Sequence, residues 1–538
     1  MVKRKSSTTG ELRTSPIVLG MTRVPPIQLN AWDIKHSQTF FPPLESLFKT
    51  ESLSHVNQYG IRFSDPISAV PSEDVVRLLS GKTVNVHRKS TMLLSPFKWM
   101  KGEFGHLGLP TSKSNADEIH SKLQSPNTAG YVGSILSVAL SHSGCLHFPK
   151  VYGVFTGTST KHVINISDDY EDLSERKWFS QNIGKTFQIA LNEHVGNTIS
   201  YTRNARDRIL IGDDVELGDV EELAGVPTNV TEAADMNAIL HDHDSSHEDD
   251  DLSSMNTSYV FKIESIDTDA FSESESISVE EEEDEPFAWA TFENVPVQTT
   301  VMEKCMGLFY MLLKEDTNTE HHMAWFSQII FALAFAQRNF AFTHNDLHAN
   351  NVMYVPTEDT HLYYMHAGVY YAVPTYGYLI KIIDFDRSIG SVRLPGMKEP
   401  KLFMSDHFSA DEEAGGQYNT FPFYVSKYPI VKPNPSFDLV RLATSLFWDL
   451  FPNGPKYDEY DNNEVFRMFM RWMTLEDGTY ILFHKTQPKM DRYPGFHLYK
   501  AIARYCKDTA VPRKEIAELK QYIVSGFPVG HVPLVIDV

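Results

Sequence analysis

Phe342-Thr-His-Asn-Asp-Leu-His-Ala-Asn-Asn-Val-Met353 is a short polar cluster set between an apolar helical stretch and an apolar strand, and the rest of the chain is organised around it. His344, Asp346 and Asn351 fall at the spacing H-x-D-x-x-x-x-N. That spacing puts a carboxylate able to accept a hydroxyl proton just ahead of an amide oxygen able to ligate a metal. Further on, Tyr378-Leu-Ile-Lys-Ile-Ile-Asp-Phe-Asp386 is a β-branched run that delivers Asp384 at the end of a strand. Phosphoryl transfer needs little covalent help; it needs a divalent cation held against the phosphates and an oriented hydroxyl. Asp346 as acceptor, with Asn351 and Asp384 as metal ligands, supplies those functions in that order. A polar turn between buried elements is the alternative, and it leaves the two motifs in register unexplained.

The chain has 538 residues, 42% hydrophobic and 12% aromatic, enough for two lobes around a substantial core. Cys145, Cys305 and Cys506 are scattered without a C-x-x-C, which argues for a reducing compartment and against structural zinc. The first ten residues are polar with no apolar run behind them, so no signal peptide is expected. The most apolar stretch, Met323 to Phe342, is interrupted by Ser327, Gln328, Gln337 and Arg338 and reads as a buried helix, not a membrane span. The net charge is -22, yet residues 201–290 hold 26 acidic and 4 basic side chains and so carry all of it, leaving 44 of each sign elsewhere. No basic field suggests nucleic acid as a partner.

Taken in order, residues 1–35 read as an extended arm with Pro25-Pro26, and Ser72 to Leu79 reads as a helix. Lys82 to Arg88 and Ser90 to Lys98 read as strands. A nucleotide-binding lobe places a lysine on such a strand against the α- and β-phosphates, paired with a glutamate from the next helix. Lys98 with Glu118, in Ala116 to Leu123, is the pair chosen, with Lys89 and Lys101 as competitors; a surface lysine whose stem covers Trp99 is the plainer reading of Lys98. No G-x-G-x-x-G is present upstream to cover the phosphates. Thr128 to Ser143 reads as a helix, and His147 to Phe155 and Lys185 to Leu191 as strands. Residues 201–290 have the composition of a disordered acidic insertion, and their His/Asp cluster at 241–251 lacks the spacing of a metal site. A strand from Val295 towards Gly307, a short helix Phe309 to Lys314 and an apolar helix over 320–339 follow. After Asp384 comes an irregular stretch to about Pro433, a buried helix beginning near Asp438 and a helical tail.

With these motifs in order, the chain resembles the eukaryotic-type protein kinase superfamily over residues 80–200 and 290–450. More narrowly, His344 to Asn351 followed by Ile383-Asp-Phe-Asp386 is similar to the divergent serine/threonine kinase-like proteins of large cytoplasmic DNA viruses, of the iridovirus and giant-virus type. The poxvirus morphogenesis kinase, with its own Asp-Phe-Asp, is more distantly similar. The resemblance implies an α+β fold of two lobes. In this chain that gives an N-terminal extension (1–68), a small β-rich lobe (69–200), the acidic insertion (201–290), the end of the small lobe with a hinge (291–307) and a helical large lobe (308–538). It implies ATP and Mg2+ as cofactors, a protein Ser/Thr hydroxyl as acceptor, Asp346 as catalytic base, and Asn351 and Asp384 as metal ligands. Adenine would meet the backbone around Glu303 to Cys305, and Asp438 would anchor the catalytic loop from below. Host cytoplasm or the virion, with other virion proteins as partners, is the implied location. Several residues depart from the pattern: Asn345 replaces the arginine that clamps an activation-loop phosphate, His348 the lysine at the γ-phosphate and Asp386 the glycine, and no Ala-Pro-Glu closes the segment. The H-x-D-L-H-x-x-N form is also similar to aminoglycoside and choline phosphotransferases, and a pseudokinase scaffold is the reading from another class.

Overall fold

Strand-forming runs dominate the first third of the chain, and they pair into antiparallel sheets that make the fold mixed α and β. The structure, a computed structural model, describes residues 19–24, 27–38, 59–104, 123, 125–192, 287–394, 398–408, 433–484, 491–493, 497–528 and 531–537. Glu118, with most of its expected helix, and residues 201–286 of the acidic segment lie outside the described residues.

In chain order the N-terminal strands are β1 (Met21–Arg23), β2 (Ile34–Gln38), β3 (Tyr59–Ile61), β4 (Ile67–Ser72), β5 (Val75–Leu78), β6 (Thr83–Met92), β7 (Val151–Asn165), β8 (Gln188–Asn192) and β9 (Phe287–Glu303). β1 and β3 form a small pair of their own, and the rest make one seven-stranded sheet in the order β2-β7-β9-β6-β5-β4 with β8 also on β9. The described residues of this stretch, 19–24 and 27–38, are therefore not a free arm. Leu29, Trp32 and Ile34 are buried, and the Trp32 indole donates to the Glu73 carbonyl at 2.8 Å. Ser72 to Leu79 is not a helix either. Its β-branched Val75-Val76 pairs with Val84 and Asn85, and the chain turns at Glu73-Asp74. β9 starts at Phe287, upstream of the expected Val295, because Phe287 to Glu293 continues the pairing with β7 and β8.

Two helices follow β6. α1 (Pro96–Met100) begins where Ser95 caps the Lys98 amide and proline occupies the first turn. α2 (Ala129–Ser141) starts one residue after Thr128, and every residue from Ala129 to Leu140 is buried. Asp406 accepts the Ala129 amide at 3.1 Å and serves the free end of this helix.

The chain leaves the sheet at Glu303 and passes through residues 304–306 to β10 (Gly307–Leu308), α3 (Phe309–Glu315) and α4 (Thr319–Phe340). α4 is apolar around nearly its whole circumference, as a helix enclosed by its own domain must be. Its Trp325 is fully buried, and the indole N–H is satisfied by the Thr375 carbonyl at 2.8 Å. Among the described residues no helix is long and apolar enough to cross a membrane.

β11 (Val352–Pro356), the hairpin β12 (His361–His366) and β13 (Val369–Pro374), and β14 (Tyr378–Ile382) come next. β10, β11 and β14 form a three-stranded antiparallel sheet. The hairpin turns at Ala367-Gly368, both at positive φ, the geometry that matches the twist of the strands it joins. β15 (Ile389–Val392) and β16 (Lys401–Met404) pair within the stretch expected to be irregular. The helices α5 (Phe437–Leu450), α6 (Glu464–Trp472) and α7 (His497–Tyr505) follow, but the tail is not all helical. β17 (Ile523–Val524) adds to β13 and β18 (Leu534–Val535) to β12, covering backbone edges that the hairpin would otherwise expose. Buried apolar side chains gather in two clusters. One is built on the N-terminal sheet; the other surrounds α4 and α5 and takes in α2.

Candidate active site

Two local features bring the loop motif and the Ile-Asp-Phe segment together. The register Val352↔Ile382 between β11 and β14 places Asn351 beside Ile383, whose amide donates to the Asn351 carbonyl at 3.0 Å. Asn345 and Asp384 adopt left-handed backbone conformations, with φ of 64° and 66°, at positions where Asn and Asp are the non-glycine residues best able to do so.

His344 is buried and its Nε2 donates to the Ile383 carbonyl at 2.7 Å, which leaves Nδ1 to accept the Asp346 amide at 3.3 Å. Its ring also packs on Phe385, with centroids 5.5 Å apart. Beneath the loop, the Asp438 carboxylate in the first turn of α5 accepts the amides of His344 at 2.9 Å and Asn345 at 3.0 Å. Burial pushes the Asp438 carboxyl up to about 6 against the opposing pull of those amides and of His344.

Asp346 is held from three sides. Its Oδ1 accepts the Tyr499 hydroxyl of α7 at 3.0 Å; its Oδ2 faces Arg387 at 3.7 Å and His348 at 3.8 Å. Arg441 of α5 donates to the Tyr499 oxygen at 3.0 Å and lies over the tyrosine ring. Burial alone would raise the Asp346 carboxyl, but Arg387, His348 and Arg441 outweigh it and hold the group far below the usual carboxylate range. It is an anion at neutral pH. Asn351 donates from Nδ2 to the Asp346 carbonyl at 2.8 Å, which leaves its Oδ1 without a partner among the described residues.

Across from these residues stands Lys89 of β6. Its ammonium lies 2.5 Å from Asp384 Oδ1 and 3.0 Å from Asp386 Oδ2, and the Thr91 hydroxyl donates to the same Asp386 oxygen at 2.7 Å. Lys89 and Thr91 share a face because side chains alternate along a strand. Burial would drop the Asp384 carboxyl's affinity for its charge, but the Lys89 ammonium outweighs that and draws its pKa down.

The structure thus brings Asp346, Asn351 and Asp384 together and supplies Lys89, not Lys98, as the lysine facing them. Lys98 lies in α1, buried, because Ser95-Pro96 starts a helix where a strand was expected. Glu303 closes β9 and its carboxylate pairs with Lys381; Cys305 is half-buried in the connector, and neither its N–H nor its carbonyl has a partner among the described residues. The signal for Lys89 was available in the helix-start reading of Ser95-Pro96, which removes Lys98 from the strand. Tyr499, Arg387 and Arg441 carry no local motif that could have marked them.

Among the described residues no three His, Cys, Asp or Glu side chains converge as a metal site. The Asp384 carboxylate and the Asn351 Oδ1 are hard oxygen donors of the kind Mg2+ uses when phosphates and water complete its shell, so the donor set fits that ion in the company of a nucleotide. No protein-family model matches the chain, and no curated protein matches it.

Proposed function

We propose that the chain is an ATP-dependent phosphotransferase of the protein kinase type, passing the γ-phosphate to a hydroxyl, with protein serine or threonine as the acceptor class. The observation that carries this reading is the meeting of Lys89, from the N-terminal sheet, with Asp384 beside Asn351 and Asp346, residues up to 295 positions apart in sequence. Supporting it are the antiparallel sheet that delivers Lys89, the connector at 304–306 leading out of β9, and the anchoring of the loop by Asp438. A small β-rich lobe and a larger lobe around α4 and α5 is the arrangement these features favour.

In this reading Mg2+, held by Asn351 and Asp384, would neutralise phosphate charge. Lys89 would take phosphate oxygens, and the backbone of Glu303 and Cys305 would receive the adenine edge. Asp346 is too acidic to be a strong base. Its work is to accept the hydrogen of the acceptor hydroxyl and aim the oxygen, while Tyr499 and Arg387 fix the carboxylate. The test is transfer of radiolabelled phosphate from ATP to casein, myelin basic protein and a panel of amino alcohols by wild type and Asp346→Asn. Transfer by wild type alone supports the reading, and absence of transfer to every acceptor refutes it.

One feature favours a pseudokinase scaffold as the second reading. The β4–β5 turn, where a glycine loop would cover the phosphates, presents the carboxylates of Glu73 and Asp74, paired with Arg88 at 2.8 Å and Lys304 at 3.5 Å. A folded protein that transfers nothing to any acceptor, whether or not Mg-ATP raises its melting temperature, would select it.

A further inference from the structure

The position of Gly133 on α2 and the double grip on Lys89 lead to a role for a residue the motif reading treats only as a departure. We propose that Asp386 is a positioning residue that holds Lys89 in place while Asp384 serves the metal, taking over the part expected of a helix glutamate; the inference rests on the phosphotransferase reading.

The helix packed beside Lys89 has no carboxylate to offer. Between Ala129 and Ser141 there is neither Asp nor Glu, and where α2 lies against Asp386 it carries Gly133. A Cβ built on Gly133 would lie 1.9 Å from Asp386 Oδ1 and 3.3 Å from the Asp386 Cα, so no side chain at 133 is compatible with the observed Asp386. The two positions are complementary: the helix gives up its side chain and the segment after Phe385 supplies the carboxylate.

Charge accounts for why two carboxylates are present. The Lys89 side chain is 15% exposed and that of Asp386 13%, whereas that of Asp384 is 41% exposed. An enclosed ammonium that loses its counter-ion is costly. If Asp384 alone paired with Lys89, drawing Asp384 to a cation would strand the lysine. Asp386, fixed by Thr91 at 2.7 Å, keeps the ammonium paired and in place when Asp384 turns away. The lysine's partner then lies in the same short segment as the metal ligand, so its orientation does not depend on α2.

The experiment compares wild type, Asp386→Asn, Asp386→Gly, Gly133→Glu and the double variant Asp386→Gly/Gly133→Glu in steady-state phosphate transfer, with melting curves to show folding. Displacing a positioning group by about 1 Å costs on the order of 100-fold in rate, so Asp386→Asn and Asp386→Gly should each lose transfer on that scale, with a raised KM for ATP. Gly133→Glu should be inactive or unstable from the collision with Asp386. The double variant, with the carboxylate returned to the helix, should recover at least about tenfold over Asp386→Gly, a rescue that a purely structural role would not give. Transfer by Asp386→Asn and Asp386→Gly at the wild-type rate overturns this inference and leaves the phosphotransferase reading standing. Absence of transfer by wild type overturns the reading and this role with it. A folded double variant no better than Asp386→Gly overturns the exchange between 133 and 386; if the double variant does not fold, the rate and KM of Asp386→Asn decide.

Discussion

Replacing Asp438 with alanine removes the anchor of the loop that carries Asp346, and the structure gives both a magnitude and a sign in pH. The carboxylate is fully buried and serves two amides, those of His344 and Asn345. Each buried N–H left unpaired costs about 1–3 kcal/mol, so the variant should lose about 4 kcal/mol from this source. Against that, burial has moved the carboxyl from 3.8 to about 6. Keeping it ionised at pH 7 therefore costs the wild-type fold about 3 kcal/mol, which the variant does not bear. The net penalty near neutral pH is about 1 kcal/mol. A carboxyl whose folded pKa lies above its unfolded value contributes stability that is fully present below pH 4 and lost as the pH rises through about 6. Near pH 4.5 the group is protonated in the fold, with one oxygen still a carbonyl acceptor and the other able to accept through its hydroxyl oxygen, so the gap between wild type and Asp438→Ala should widen there. Urea unfolding of both proteins across pH 4.5–7.5 measures it. A gap that grows as the pH rises would instead mean that the amides win over burial at Asp438. Phosphate transfer should fall sharply in the variant throughout, since Asp346 follows the backbone of His344 and Asn345.

Asp384→Asn should abolish Mg-nucleotide turnover while melting close to wild type, because the side chain is 41% exposed and fills no core space; unchanged activity would remove it from the site. Lys89→Met should cost several orders of magnitude in transfer rate, while Lys98→Met and Lys101→Met should leave the rate near wild type; the reverse ranking would refute the placement of β6. Tyr499→Phe removes one hydroxyl bond to an ionised carboxylate, worth about 1.5–3 kcal/mol, and should lower kcat about tenfold or more with the KM for ATP unchanged. An unaltered kcat would make that bond incidental. Trp325→Ala should destabilise by about 3–5 kcal/mol in urea unfolding without changing the chemistry, and a smaller loss would mean the core around α4 can collapse onto the gap.

Much of the architecture could be read locally because the signals are periodic. The apolar run of α4, the continuous buried run of α2 and the β-branched residues of β14 each specify an element within one stretch. The errors arose where a local signal pointed two ways. Ser72-Glu-Asp has the look of a helix start, yet in the fold it precedes Val75-Val76 at a turn between edge strands, and pairing with β6 decides the matter. Residues 27–38 are short and polar-flanked, and the burial of Leu29, Trp32 and Ile34 together with the pairing of β2 on β7 makes them part of the sheet. Ile523-Val524 and Leu534-Val535 are too short to read as strands alone; they exist because a hairpin edge is there to receive them.

The candidate site divides along the same line. His344, Asp346, Asn351 and Asp384 could be picked out because they fall at fixed spacings within two short motifs. The groups that set the state of Asp346 are not, since Arg387 reaches it from the Asp-Phe-Asp segment and Tyr499 from 153 residues downstream. These partners also decide what the carboxylate can do. A carboxylate held far below its usual range by Arg387, His348 and Arg441 is poorly suited to taking a proton outright and well suited to aligning a hydroxyl. Substituting Arg387 or Tyr499 should therefore change the rate without changing the nucleotide's affinity, whereas substituting Lys89 or Asp384 should change both. A protein kept for nucleotide binding alone would have no use for that division of labour, and would tolerate the first pair of changes as well as it tolerates any other buried polar loss.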